Sequence, residues 1–377
     1  MRILIVGAGI SGLAFASFIK RDGTVIDIVD KAPAWPNRGF SIGFWSNARA
    51  VLQKLGLGEK FDEHAVPFHR LIIRNGDGKL LRQFNLHKFN TEVGLALVDL
   101  KRSLLHDWLY ETAGKPAVRL GKSLLTLREE GNKVHVVFSD GEQQNYDLVV
   151  GADGIHSQVR TLSLNFHERY KNWRAWWMWV NGSFGESRTL SSYVEPGVII
   201  NFFNEGERTL VNLAAHANHA VWDTEAGRME RLTRLFKSES SLVPLLFEGH
   251  KDVDAMPTDL VRIKLKHWHT NRIVLIGDAA HGFEPSAGLG GSMALEDAYV
   301  LAAELLKVEE EHITAALEAY EKKRKPRVAL ARSLTSKMGS WGMVDSVLLR
   351  KSIDLIFPYL PESMLTRDFF KLLKEEI

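Results

Sequence analysis

Cysteine is absent from this 377-residue chain, which excludes disulfides, thiolate metal ligands and a cysteine nucleophile together. A surplus of either charge is missing too. The 48 Lys and Arg against 46 Asp and Glu leave a formal charge of +2, so no whole-chain field marks it for nucleic acid or another polyanion. No stretch approaches the ~18 uninterrupted apolar residues of a membrane span. Residues 1–19 are apolar enough to imitate a secretory signal. Three glycines interrupt them, however, Arg2 is the single basic residue in front, and no small-residue cleavage site follows, so they read as a buried strand and helix. No Ser-His-Asp order, zinc helix or metal-spaced histidine set occurs, and no metal is expected. What is left is the balance of a soluble cytoplasmic enzyme, long enough for more than one domain. Oligomeric state leaves no mark on the sequence.

The residues that are present form three strand-turn-helix units. Ile3–Val6 is a run suited to a strand buried on both faces, and Gly7-Ala8-Gly9-Ile10-Ser11-Gly12 follows it directly, leading into an apolar helix from Leu13. In that context Gly7 permits a tight turn, Gly9 lets a pyrophosphate approach the backbone, and Gly12 lets the helix pack on the strand. The next strand, Val25–Val29, ends in Asp30, either an acceptor for an adenosine ribose or a solvated carboxylate at a strand end. These residues predict a dinucleotide, NAD or FAD. The second unit is Leu148–Val150 followed by GADGIHSQVR, residues 151–160. The third is Arg272–Ala298: a strand at Ile273–Ile276, Gly277-Asp278 at its carboxyl edge, a loop with Pro285, Gly288, Leu289, Gly290 and Gly291, and a helix opened by Ser292. Ligands bind at the carboxyl edge of open α/β sheets, and a helix N-terminus attracts a phosphate or a polarised carbonyl.

Between these units lie a glycine-rich turn holding Arg38, which faces either a flavin edge or solvent, a helix at Asn47–Leu55, and a hairpin around Asn75-Gly76-Asp77-Gly78. Val98–Leu109 has helical spacing, with Arg102 near its start and off the apolar stripe. Leu124–Asp147 reads as a meander.

In order and spacing, the Gly7–Gly12, Gly151–Arg160 and Gly277–Gly290 stretches resemble the three signatures of the single-component FAD-dependent aromatic monooxygenases. These are the class A flavoprotein hydroxylases built like 4-hydroxybenzoate hydroxylase, and they include the tetracycline-inactivating monooxygenases. Arg102, Leu105 and Leu109 fit that family's R-x-x-L-x-x-x-L helix, and YEKKRKPR (320–327) resembles the helix after its GD stretch, with Pro326 as a helix boundary. The resemblance implies an α/β fold with a discontinuous Rossmann-like FAD-binding domain (1–68, 96–166, 267–335), a mixed-sheet substrate domain (69–95, 167–266) and C-terminal helices (336–377). It further implies that Asp30 holds the adenosine ribose, Gly9, Ile10, Ser11 and Gly12 the pyrophosphate, Asp278 the ribityl chain and the Gly288–Ser292 backbone the isoalloxazine carbonyls. Arg102 then contacts FAD, and Asp153 and Arg160 shape the FAD and NAD(P)H paths. Where the family has G-Q-G-x-N, this chain has Gly288-Leu289-Gly290-Gly291-Ser292, a loss of amides that predicts looser FAD.

The implied reaction reduces FAD with NADH or NADPH and hydroxylates an aromatic or polycyclic small molecule with O2 through a flavin C4a-hydroperoxide. Two alternatives stay open: a flavin-dependent halogenase or reductase, and a non-catalytic flavin-binding protein. Trp177-Met178-Trp179 partly matches the halogenase W-x-W-x-I-P pattern, but Val180-Asn181-Gly182 follows. Period-two spacing puts Trp173, Trp177 and Trp179 on one face and Trp176, Met178 and Val180 on the other. Trp177 and Trp179 are candidate walls for a planar substrate, set against core packing. His216 and Tyr193 are weak candidates for accepting a phenol proton.

Overall fold

The computed structural model describes residues 1–20, 22–35, 40–95, 97–164, 166–217, 224–236, 246–247 and 254–377. Its centre is a five-stranded parallel sheet in spatial order Ile273–Leu275, Leu148–Gly151, Arg2–Val6, Val25–Asp30 and Val118–Leu120. The three strands that precede the glycine turns are adjacent. The order brings all three turns to one edge, as expected of an open α/β sheet. Ile3, Leu4, Ile5, Leu148, Val149, Val150, Val274 and Leu275 have no exposed surface, because helices and the antiparallel strands Lys133–Phe138 and Gln143–Tyr146 pack against the sheet. The helices Ile10–Phe18 and Gly290–Leu305 pack on one another across this edge.

A second, seven-stranded sheet is built from Arg70–Asn75, Leu80–Asn85, His167–Asn181, Thr189–Glu195, Val198–Asn204, Arg208–His216 and Met256–Lys264. Its two faces differ. Trp176, Met178, Val180, Tyr193, Phe202 and Val211 face one side, where they form a core with Leu232 and Phe236 of the helix Arg228–Leu235. Trp177, Trp179 and Phe203 face the other side, toward the parallel-sheet unit: Phe203 meets Phe68, and Trp177 meets Phe40. The expected meander is a three-stranded antiparallel sheet, Leu124–Glu130, Lys133–Phe138 and Gln143–Tyr146.

Two expectations fail locally. Val98–Leu109 is not all helix: Val98–Lys101 is a strand paired with Ser41–Phe44 and Val66–Pro67, and the helix is Arg102–Thr112. Val98 and Leu100 are buried against this small sheet, so tertiary pairing overrides the helical spacing. Pro326 is no boundary either. The helix Ile313–Gly342 runs through it, across residue 335, for 30 residues. Proline inside a helix costs roughly 3 kcal/mol, in part through the lost bond to the carbonyl four residues back. Here Pro326 and Lys322 are both exposed, so water serves the freed carbonyl, while Arg324, Arg327, Val328 and Ala331 stay buried on the other side. The helices Val347–Ile356 and Glu362–Lys374 follow. Among the described residues no helix is long and apolar enough to cross a membrane.

Candidate functional site: a dinucleotide cradle beneath an aromatic sheet face

The first turn separates its glycines by role. A Cβ on Gly7 (φ +106°) would meet the Ala152 carbonyl oxygen at 2.4 Å, and one on Gly12 would meet the Gly7 oxygen at 2.1 Å, while one on Gly9 would meet nothing within 4 Å. Gly7 and Gly12 are therefore required by backbone packing, and Gly9 borders open space. Ile10 and Ser11 begin the helix, which has neither a side-chain cap nor an acidic residue in its first turn, leaving its first N–H groups for an anion. Asp30 ends its strand beside this turn and accepts from Ala8 N and Ala32 N, both at 2.8 Å. A carboxylate has about four acceptor positions, so two remain for a ribose.

The second turn is organised around Asp153 and Arg160. Asp153 accepts from Ser157 Oγ at 2.5 Å and from Gln158 N at 2.6 Å. Burial raises its pKa, partly countered by these bonds. Its carboxylate shapes its own loop. Buried Arg160 donates to Ile155 O at 2.6 Å and to Ala279 O at 2.9 Å, stitching the second turn to the third.

In the third turn Asp278 is exposed to solvent, yet desolvation by the surrounding protein raises its pKa against the pull of His281 and Arg102. Exposure combined with desolvation describes a group at the bottom of a cleft. Arg102, the exposed first residue of its helix, is thus brought within electrostatic reach of Asp278, which its sequence position alone did not reveal. Pro285 opens a short 3-10 turn ending at Gly288. Gly290 borders open space, while Gly291 packs against Phe44. The helix Gly290–Leu305 again has no side-chain cap among the described residues. Leu289 and Ser292 are fully buried, and Ser292 Oγ has no hydrogen-bond partner among the described residues. Neither side chain lines the cleft, so only backbone is offered there. Arg38 lies outside the described residues.

The turns rest on a buried ion network that the sequence reading missed. Asp297 accepts from Gly277 N at 2.8 Å, His281 Nε2 at 2.5 Å and Arg324 Nε at 2.7 Å. Glu296 accepts from Asn47 Nδ2 at 2.7 Å, from Arg327 Nε at 2.6 Å and from Arg324. Burial raises both carboxyl pKa values, but the facing cations more than reverse it and hold both below normal. The signal was available: two adjacent acids in the otherwise apolar MALEDAYVLAA demand buried partners, and Arg324 and Arg327, three apart, share a helix face.

Trp177 is half-buried, with ring centroids 6.3 Å from Phe40 and 6.1 Å from Phe203, and Arg208 stacks 4.1 Å over Trp179. Both tryptophans face the cradle side. The weak base candidates do not join them. Tyr193 is packed edge-on against Phe202 in the core of the opposite face, where burial raises its pKa. Exposed His216 sits at its strand's end, 4.0 Å from Asp345. A further acid was missed as well: Asp99 is buried in the small sheet, its Oδ2 has no partner among the described residues, and burial and neighbouring Glu205 push its pKa well up.

Fold and site together define a Rossmann-like dinucleotide-binding protein with an aromatic sheet face turned toward its cradle. A family model described as an FAD binding domain matches residues 1–334. Aurachin C monooxygenase/isomerase of Stigmatella aurantiaca is 32% identical over 331 residues, 87% of this chain and 86% of that protein. An FAD-dependent urate hydroxylase of Klebsiella pneumoniae is 29% identical over 351 residues, 87% of each. The structure of Klebsiella pneumoniae HpxO complexed with FAD and uric acid superimposes with a TM-score of 0.87 at 22% identity, covering 99% of this chain and 97% of that one. The chain belongs to the FAD-binding family of FAD-dependent monooxygenases, the class A flavoprotein hydroxylases. The cradle fits that cofactor: backbone leaves room at Gly9 and Gly290, and two uncapped helix N-termini face the same edge.

Proposed function

We propose that this protein uses NADH or NADPH and O2 to hydroxylate a planar aromatic or polycyclic small molecule in the cytoplasm. The substrate lies between FAD and the Trp177 face of the seven-stranded sheet. The observation that carries this reading is the pairing of an open glycine cradle with half-buried tryptophans turned toward it. Bound FAD supplies the redox and oxygen chemistry. Gly9, Ile10, Ser11 and Gly12 then receive the pyrophosphate, Asp30 the adenosine ribose, Asp278 the ribityl chain, and the Gly288–Ser292 backbone the ring carbonyls, with Arg102 across the cleft. Trp177 and Trp179 hold the substrate ring and exclude water from it. In this reading residues 1–68, 96–166 and 267–335 form the FAD-binding domain, and 69–95 and 167–266 the substrate domain.

The test is to purify the FAD-loaded protein, follow NADH and NADPH oxidation with a panel of phenols and fused heteroaromatics, and analyse products made under 18O2 by mass. One labelled oxygen in an aromatic product is expected. Oxidation without incorporation into any aromatic overturns the reading. A chloride-dependent product mass identifies a halogenase, and bound FAD with no stimulated oxidation identifies a non-catalytic flavoprotein.

A further inference from the structure

The strand register aligns four residues across the centre of the sheet face that carries Trp177: Trp177 opposite Asn212, Asn212 opposite Asn201, and Asn201 opposite Ser192. Register partners project to the same side. The rows on either side are apolar: Trp179, Leu210, Phe203 and Leu190 on one, and Ala175, Ala214, Ile199 and Val194 on the other. Three polar residues in one straight row interrupt a face that is otherwise built for packing.

Their hydrogen bonds run in one direction. Ser192 Oγ donates to Asn201 Oδ1 at 2.6 Å, Asn201 Nδ2 to Asn212 Oδ1 at 3.0 Å, and Asn212 Nδ2 to the Trp176 carbonyl at 3.5 Å. The chain fixes how each amide is turned and leaves each with a second N–H and a second lone pair. Ser192 and Asn201 are only half-buried, like Trp177 beside them, so this unspent capacity opens on the same space as the tryptophan ring. The row offers a donor and an acceptor side by side and no charge. Among the described residues the same-face arginines at its margins are already engaged: Arg208 Nη2 with Glu205 at 2.8 Å, Arg262 Nη2 with Glu284 at 2.7 Å and Ser336 at 2.8 Å, and Arg82 Nη1 with the Pro358 carbonyl at 2.8 Å.

We propose that Asn201, Asn212 and Ser192 are the specificity-determining edge of the site, selecting an uncharged planar substrate whose edge carries a neutral donor and acceptor side by side, such as a lactam or phenol, over an aromatic carboxylate. The proposal rests on the reading that the substrate lies on this face. A lactam edge matches a fixed amide on both of its groups. A carboxylate there loses its hydration and meets no cation in the row itself and, among the described residues, only engaged arginines at its margins, a cost that neutral amides do not offset.

The experiment compares two ligands on one bicyclic frame, 2-quinolone and quinoline-2-carboxylate, titrated into the FAD-loaded wild-type protein and read as flavin difference spectra. 2-Quinolone is expected to perturb the flavin at a roughly tenfold or lower concentration than the carboxylate. Asn201→Leu is expected to weaken 2-quinolone roughly tenfold with an unchanged resting flavin spectrum, and Asn201→Arg to reverse the preference. Equal or tighter binding of the carboxylate by wild type overturns the proposal without a variant being needed, and so does an Asn201→Leu protein that binds 2-quinolone as wild type does. Silence from both compounds also overturns it. In each case the separate 18O2 panel tells whether the site reading falls too: hydroxylated carboxylates leave that reading standing while this one fails.

Discussion

Arg324, in the first half of the 30-residue helix Ile313–Gly342, donates from Nε to Asp297 Oδ1 at 2.7 Å, and the other oxygen of the same carboxylate accepts the Gly277 N–H at 2.8 Å. Through Asp297, a residue 46 positions downstream of the turn therefore fixes the backbone on which Asp278 stands. Both partners are buried, so removing one leaves an uncompensated charge. Arg324→Leu is expected to destabilise the apoprotein by about 3–5 kcal/mol and to weaken FAD binding, because the Gly277 turn loses its anchor. Urea unfolding and FAD titration check the two effects separately.

Gly9 and Gly12 stand three residues apart in one helix entrance and should fail differently. Gly12→Ala drives a methyl onto the Gly7 oxygen, where the Cβ position is 2.1 Å away. The gain in helix propensity, about 1 kcal/mol, is outweighed by backbone displacement costing about 1–3 kcal/mol or more. Gly9→Ala meets no protein atom within 4 Å, so the unfolding midpoint should hold while the FAD dissociation constant rises roughly tenfold, the equivalent of about 1.4 kcal/mol. Equal effects of both variants on unfolding would refute the division of roles.

Asp99 gives a stability profile of unusual sign. Burial and the adjacent Glu205 hold its carboxyl well above the usual range, so the folded protein keeps a proton that the unfolded chain releases. Stability from this group is fully present below the unfolded carboxylate value, about pH 4, and is lost as pH rises toward the folded pKa. Asp99→Asn, which resembles the neutral acid, should match wild type in urea unfolding near that pH and exceed it increasingly as pH rises. A gap that widens toward acid would contradict the assignment.

Leu289 and Ser292 give a test of where the cofactor loop obtains its polarity. Ser292→Ala removes a buried hydroxyl with no partner among the described residues, and should be neutral or stabilising by up to about 1 kcal/mol. Leu289→Gln places an amide in the main core, and should destabilise by about 1–3 kcal/mol rather than tighten FAD. Dialysis retention of FAD, measured beside urea unfolding, separates the two consequences.

Much of this was written in the chain. Ile3–Val6, Leu148–Val150 and Ile273–Ile276 are apolar on every position, which only a strand covered on both faces tolerates, and the glycines behind them mark the sheet edge. The alternation around Trp176–Val180 assigned both faces of the strand correctly. What escaped was set by distant pairing. Val98–Lys101 has helical spacing but finds a partner strand in Ser41–Phe44, with Phe44 opposite Val98 and Ser41 opposite Lys101. That the Leu289 and Ser292 side chains turn into the core was not legible either, because sequence shows which residues share a loop, not which way each side chain turns. Asn201 and Asn212 sit in largely apolar strands, and only the register of the hairpin they share makes them one row.

The helix Ile313–Gly342 reaches beyond the cofactor turns. At about 1.5 Å per residue its 30 residues span roughly 45 Å, with Arg324 gripping the Gly277 turn and Gly342 lying against Ile199 of the substrate-side sheet. Between those two grips stands Pro326, where one rung of the helical ladder is missing. The gap in the beam that joins cofactor turn to substrate sheet is bracketed by Arg324 and Arg327, which both hold the Glu296–Asp297 pair, so the acid pair splints the helix where its own ladder is weakest. Pro326→Ala restores the rung, and its signature would be slower hydrogen exchange through residues 320–327.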